Sequence, residues 1–315
     1  MRRFETRSMP PEPTPCLGDR SLSLGCRVGL VAGSGQLPLL FARAMRVEGR
    51  CTLVAVAHHR ETDPMLEEMV DQLLWVRLGQ FRRILDFLAR CGVEEVVFAG
   101  GITKASIWRA RPDTLALRLV AQLRHLHDDL LLRAVAGLVE SRGFRVRGVT
   151  DYLPDLLVPA GQLTRQAPTA EQWEDIHFGW QAAKALGQLD IGQGVVVRGK
   201  NVVAVEAMEG TDAMICRAGH LSGGKGILVK VSKPTQDRRL DMPTIGPGTI
   251  QALLAARLPV LVVEAGGVIL LDPATTLAMA DRHRLAIVAT TDADMIRGAV
   301  YFPTTNSQES EGGEK

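Results

Sequence analysis

The sequence predicts an α/β protein: an N-terminal Rossmann-like parallel-sheet domain followed by a smaller C-terminal α/β (α+β) domain. Three observations predict it. Short apolar runs alternate with segments of helical periodicity from Arg27 onward. Glycine turns follow the first and fourth of those runs, at Gly33-Ser34-Gly35 and Gly100-Gly101. Finally, the cores must be aliphatic: 46% of residues are hydrophobic but only 4% aromatic. Val, Leu, Ile and Ala suit parallel strands buried on both faces.

The elements follow in order. Arg27–Ala32 reads as a strand, and Leu37–Glu48 as a helix with one apolar face. Cys51–Ala57 and Val70–Leu78 are further strands, Phe81–Arg90 a helix, and Val93–Ala99 the strand that ends at Gly100-Gly101. Leu115–Leu123 and Asp128–Arg142 read as helices; the paired aspartates suit a first turn and Gly143 a stop. Phe144–Val149 is a short strand. Pro154, Pro159 and Gly161 make 152–161 turn-rich, which sets the domain boundary there. Ala170–Leu186 opens the second half as a helix. Apolar runs at Val195–Val197, Val202–Val205, Ile227–Val231, Val260–Glu264, Val268–Leu271 and Leu285–Ala289 then read as strands, with helices near Thr211–Cys216 and Thr249–Ala256. The expected division is 1–26 a disordered extension, 27–157 the N-terminal domain, 158–305 the C-terminal catalytic domain and 306–315 a disordered tail.

Composition excludes several function classes. A net charge of +2 argues against nucleic acid as a partner. The five cysteines are widely spaced with no CxxC pair, which argues against a disulfide framework or a zinc site and fits a reducing cytoplasm. The most apolar stretch, Leu258–Leu271, is broken by Glu264, Gly266 and Gly267 and cannot span a bilayer. The first 26 residues lack the apolar run of a signal peptide.

The chemistry-bearing residues fall in two groups. Glycines after a strand let backbone N–H groups approach a phosphate at a helix N-terminus. The Gly33-Ser34-Gly35 turn lacks the third glycine of a dinucleotide fingerprint, because Pro38 stands there, and His58 and His59 stand where a ribose-binding acid would be. A dehydrogenase is therefore a poor reading, and a tight turn without ligand is the plain alternative. His125, His127, Asp128 and Asp129 form a polar cluster that reads as a helix cap or as metal ligands. The denser group lies in the second half: Leu189–Gly194, Glu206–Met214 and Lys230–Gly246 each place charged or amide groups just after an apolar run. Such groups are costly to bury unless paired, so they converge on each other or on a ligand. Interleaved lysines and carboxylates suit a polyphosphate held with a divalent metal; a salt-bridged loop network is the alternative.

Those blocks also carry a resemblance. LDIGQG at Leu189–Gly194, EAMEGTDAM at Glu206–Met214 and KVSKPTQDRRLDMPTIG at Lys230–Gly246 resemble the signature of the LpxI family, as do GLVAGSGQLP at Gly29–Pro38, FAGGITK at Phe98–Lys104 and DDLLLR at Asp128–Arg133. The resemblance implies a Mg2+-dependent enzyme that hydrolyses the diphosphate of UDP-2,3-diacylglucosamine to UMP and 2,3-diacylglucosamine 1-phosphate (lipid X) in lipid A biosynthesis. It implies two domains with the ligand site between them, a cytoplasmic location, and a weak peripheral contact with the inner membrane. A homo-oligomer is compatible with it. The essential family aspartate matches Asp241. On this reading Asp241 and Lys233 are catalytic, and Asp241, Asp212 and Glu206 are the metal carboxylates. The substrate contacts are Gly33, Ser34, Gly35, Gly100, Gly101, Gln193, Thr211, Asp212, Lys230 and Gln236. A non-catalytic sensor that binds a UDP-sugar lipid without turnover is the alternative from another class.

Overall fold

A computed structural model describes residues 26–49, 51–102, 110–122 and 128–297. Residues 1–25 and 306–315 of the segments expected to be disordered, and His125 and His127, lie outside the described residues, whereas Cys26, expected to be disordered, opens the first strand. The protein divides into two compact units: the chain up to Asp155 together with Gln236–Met242, and Leu156–Thr235 together with the chain from Pro243.

The first unit is built on an all-parallel sheet of five strands, β1 (Cys26–Ala32), β2 (Cys51–His58), β3 (Gln72–Val76), β4 (Glu95–Ala99) and β5 (Arg145–Arg147). Their order is β3-β2-β1-β4-β5, so the strand order reverses between β1 and β4. Successive strand residues face opposite sides. Val54, Val56 and Val96 form one core with α2 (Phe81–Arg90) and α4 (Asp128–Glu140), while α1 (Leu37–Glu48) buries Phe41, Ala42 and Met45 on the other side. Helix α1 ends where the sequence demands: Gly49 is left-handed at φ 64°, and its N–H caps the Met45 carbonyl. Helices α3 (Thr114–Gln122) and α5 (Val149–Tyr152) complete the unit.

The second unit carries a mixed sheet of six strands ordered β6-β13-β11-β9-β7-β8. These are β6 (Gly161–Gln162), β7 (Gly194–Arg198), β8 (Asn201–Val205), β9 (Ile227–Lys230), β11 (Val260–Glu264) and β13 (Ala286–Thr290). Strands β9, β11 and β13 are parallel, whereas β7, β8 and β6 run antiparallel to their neighbours. Here alternation sorts the strands between two cores. Ile227, Val229, Val260, Val262, Ala286 and Val288 pack on α6 (Ala170–Gln188), through Trp173, Ile176 and Trp180. Leu228, Leu261, Val263 and Ile287 pack on α7 (Thr211–Ser222), α8 (Pro247–Ala255) and α9 (Pro273–Arg282). Helix α6 begins with a reciprocal capping box between Thr169 and Gln172. It lies close on the sheet at Gly179, where a Cβ would stand 2.9 Å from Val229.

One expectation needs correction, and two features go beyond the sequence. The second unit is not the smaller one by its sheet, which has six strands against five. The apolar stretch 258–271 folds as the two short strands expected, joined by a turn, but the strands enter different sheets. Strand β11 joins the large sheet, while β12 (Ile269–Leu270) pairs with β10 (Thr244–Ile245) in a separate two-stranded one. Helix α9 and the short α10 (Asp292–Arg297) were absent from the sequence reading. Among the described residues no helix is long and apolar enough to cross a membrane.

Candidate active site

Polar residues gather at the carboxyl ends of both sheets, where ligands of open α/β sheets bind. At the first sheet the two glycine turns meet. Gly33 N–H donates to the Ala99 carbonyl at 2.8 Å, Ser34 N–H to that of Gly101 at 2.7 Å, and Gly101 N–H to that of Ser34 at 3.1 Å. The Ser34 hydroxyl adds a bond to the Gly101 carbonyl at 3.0 Å. Glycine is required by this approach: a Cβ on Gly33 would lie 2.3 Å from the Gly101 oxygen, and one on Gly100, at φ 85°, 2.4 Å from the Ser34 oxygen. The structure thus brings Gly33, Ser34, Gly100 and Gly101 together, with three N–H groups engaged in the bridge between the turns. Gly35, at φ 90°, has open space around it.

Beside this bridge His58 is buried, with Nδ1 2.9 Å from the Ala32 carbonyl; the Thr62 hydroxyl donates to the same oxygen at 2.7 Å. Burial pushes the His58 pKa below its ordinary value, and the Ala32 bond opposes that only in part. The neutral ring therefore donates through Nδ1.

The first unit also holds Asp241, on the returning segment. Arg239 grips Asp237 through Nε at 3.0 Å and Nη2 at 2.8 Å, and reaches Glu140 of α4 at 2.8 Å. This guanidinium holds the Asp237 carboxyl below the usual range. The Leu240 and Asp241 N–H groups both donate to the Asp237 carbonyl, closing the turn, and Gln236 Nε2 donates to Asp241 Oδ2 at 2.9 Å. Asp241 is thus exposed on a hydrogen-bonded turn, with predicted Gln236 beside it.

The second sheet ends in buried charge. Lys230 closes β9 and is 4% exposed. Its Nζ donates to Thr211 Oγ1 at 2.7 Å and to the Thr244 carbonyl at 3.2 Å. Thr211 in turn donates to Glu206 Oε1 at 2.6 Å. Glu206 is buried, and its Oε2 has no hydrogen-bond partner. Gly194 makes room for that oxygen, since a Cβ there would stand 2.6 Å from it. Gln193 is half-buried, and its carbonyl accepts from the Val231 N–H. Lys233 pairs with Asp190 Oδ1 at 2.5 Å. Asp212 is exposed in the first turn of α7.

A second network at the same edge escaped the sequence reading. Glu264, the last residue of β11, accepts at Oε2 from the Ser232 N–H (2.8 Å) and hydroxyl (2.9 Å). Lys184 Nζ lies 2.8 Å from Glu264 Oε1 and 3.2 Å from Asp292 Oδ2. Asp292 also accepts from Trp180 Nε1 at 2.7 Å. One signal was available: Glu264 is a carboxylate in an otherwise apolar strand, and such a residue needs a buried partner. Its partner Lys184 is distant in sequence, so spacing could not reveal it.

Among the described residues no three His, Cys, Asp or Glu side chains lie together to hold a metal ion. Glu206 and Asp241 belong to different units. Mg2+, however, usually takes one or two protein carboxylates and completes its shell with water and substrate phosphate. The unpartnered Glu206 Oε2 is a hard oxygen donor of the right kind.

The molecule is thus an α/β protein whose second sheet gathers buried lysines and carboxylates at one edge, chemistry suited to a polyphosphate. Family models for the LpxI N-terminal domain and the LpxI C-terminal domain match residues 27–156 and 159–288. A protein from Caulobacter vibrioides named UDP-2,3-diacylglucosamine pyrophosphatase LpxI is 35% identical over 267 residues, covering 81% of this chain and 94% of that protein. The chain belongs to the LpxI family. Two solved structures show remote likenesses. A biotin carboxylase domain of a single-chain bacterial carboxylase has TM-score 0.26 at 16% identity, over 67% of this chain and 59% of that one. A glycinamide-RNase-transformylase T from Mycobacterium tuberculosis has TM-score 0.24 at 15% identity, over 57% and 44%.

Proposed function

We propose that this protein hydrolyses the diphosphate of UDP-2,3-diacylglucosamine, releasing UMP and 2,3-diacylglucosamine 1-phosphate (lipid X) for lipid A biosynthesis. The observation that carries this reading is the match to the Caulobacter pyrophosphatase over nearly all of that protein's length. The geometry supports it. Lys230 and Lys233 end a strand and open a loop at the charged edge, where ammonium groups stabilise charge developing on phosphate oxygens. Phosphoryl transfer asks mainly for positioning and charge stabilisation. Thr211 links Lys230 to Glu206 and so fixes the ammonium. Asp241, on its braced turn, orients the attacking water or binds the metal.

Mg2+ is the proposed cofactor, with Glu206 as one carboxylate and Asp241 and Asp212 as further ligands; when bound it neutralises diphosphate charge. The reversal of strand order between β1 and β4 supports a Rossmann-like first unit that takes the uridine end at its glycine turns. Leu189, Ile191 and Met208 are exposed on the loops that flank Glu206, and offer apolar surface to acyl chains or a membrane at a weak peripheral contact.

The test is UMP release from UDP-2,3-diacylglucosamine with Mg2+ and with EDTA. Metal-dependent release is expected. A folded protein that binds the substrate without releasing UMP would replace the enzyme with a sensor.

A further inference from the structure

We propose that Glu264 is a positioning residue for the phosphate-binding lysines, acting through Ser232 and held in place by Lys184. The inference rests on the hydrolase reading above, and its geometry lies wholly within the second unit.

Ser232 stands between Lys230 and Lys233, the two lysines assigned to the diphosphate. Strand β9 ends at Lys230, so beyond Val231 no ladder fixes the backbone. Glu264 takes over that task. One carboxylate oxygen accepts both the N–H and the hydroxyl of Ser232, at 2.8 and 2.9 Å. Two bonds to one residue fix both its backbone and its rotamer. The carboxylate is itself fixed by Lys184 at 2.8 Å on its other oxygen. Ser232 and Glu264 are 5% and 9% exposed. At that burial a charge needs a partner, and Lys184 supplies it. The chain leaves no slack here: a Cβ on Gly267 would stand 2.7 Å from the Ser232 hydroxyl oxygen and 2.9 Å from the Glu264 side chain.

A bare structural ion pair would sit equally well anywhere in the core. This one grips the residue from which the lysine-bearing loop departs. Releasing it lets Lys233 shift relative to the phosphates, and a shift of about 1 Å can cost on the order of a hundredfold in rate.

The charge and the grip can be separated. Glu264→Gln keeps one oxygen for Ser232 but turns its amide N–H2 toward the Lys184 ammonium, so donor faces donor. Pairing it with Lys184→Met removes that conflict and leaves the grip on Ser232 without any charge. Steady-state UMP release, melting temperature and pyrophosphate binding by calorimetry are measured for wild type, Glu264→Gln, the double variant and Ser232→Ala. In Glu264→Gln, kcat is expected to fall about tenfold or more with KM little changed, and most of it to return in the double variant. Ser232→Ala, which loses one of two bonds, should show a smaller fall in kcat with its melting temperature kept. Wild-type kcat in folded Glu264→Gln and Ser232→Ala, or a double variant no better than the single, would overturn the proposal. If the wild type releases no UMP, the hydrolase reading fails by itself. Pyrophosphate binding then decides the clamp: weaker in the single and recovered in the double supports it, while equal binding throughout, or none in the wild type, overturns it.

Discussion

The two sheets end in opposite ways at their carboxyl edges. The first ends in backbone: two glycine turns bridged by N–H and carbonyl groups, beside a neutral buried histidine. The second ends in charge: Lys230, Glu206, Glu264 and Lys184, all wholly or largely buried and linked by side-chain bonds. Backbone closure needs residues without a Cβ at Gly33 and Gly100, where one would meet the facing carbonyl. Buried charge needs partners and is costly to maintain unless the charge does something. The lesson is a division of labour. Changes at the first edge should reduce stability, and changes at the second should reduce turnover. The exception within the first unit is the returning segment, which brings in Asp241.

The largest expected effect tests that exception. Asp241 is exposed and contributes little packing, so Asp241→Ala should melt near the wild-type temperature. Its kcat should nevertheless fall by about a thousandfold, an effect of roughly 4 kcal/mol on the transition state. UMP release beside a thermal melt measures both. Undiminished release would keep the reaction and discard this aspartate.

Lys230→Met comes next. It keeps the aliphatic volume and removes the ammonium that holds Thr211. We expect kcat to fall about a hundredfold, and stability by about 2 kcal/mol because the Thr244 carbonyl and the Thr211 hydroxyl lose their donor. A variant with lower stability and unchanged kcat would make the second edge as structural as the first, and the contrast would collapse.

Gly100→Ala is the counterpart at the first edge. The new Cβ would lie 2.4 Å from the Ser34 oxygen, at a backbone φ of 85° that L-residues seldom adopt. Strain of that kind costs on the order of 3 kcal/mol. Urea unfolding followed by hydrogen exchange of the β1 and β4 amides should show it. In the molecules that remain folded, KM should rise because the same turns take the uridine end, while kcat stays close to the wild-type value.

Legibility in the sequence also divides along these lines. Helices α1 and α2 and strand β11 lie where periodicity put them, because each has a long apolar pattern and clear punctuation. Both glycine turns were visible, but not that they bridge to one another, since only the strand order places β1 beside β4. Helix α9 was missed although Asp272 and Pro273 form a good start signal, with Asp272 accepting from Thr275. Its two threonines and sparse apolar stripe hid the rest. The strands β6, β10 and β12 span two residues each, too short for any period to register. At the site, Glu206 and Thr211 were legible in one block and Lys230 in another. Their hydrogen-bond chain was not, because it depends on β8, α7 and β9 meeting at one edge.

The smallest effect concerns His58, and it sharpens the claim that the first edge is a structural one. Burial lowers its pKa in the folded protein beneath the unfolded value, so the native state favours the neutral ring. Below a pH of about 6.5 the unfolded chain takes up the proton more readily than the folded one. The stability His58 contributes is therefore complete above that pH and is lost as pH falls through the folded pKa. His58→Asn places an amide N–H near the position of Nδ1, keeping a donor for the Ala32 carbonyl without a titrating group. Urea midpoints of wild type and variant should run parallel above neutrality. Between neutral and mildly acidic pH the wild type should decline more steeply. Parallel decline throughout would mean the histidine takes up its proton equally in the folded and unfolded chain, and at acidic pH the first edge would then hold buried charge as the second does.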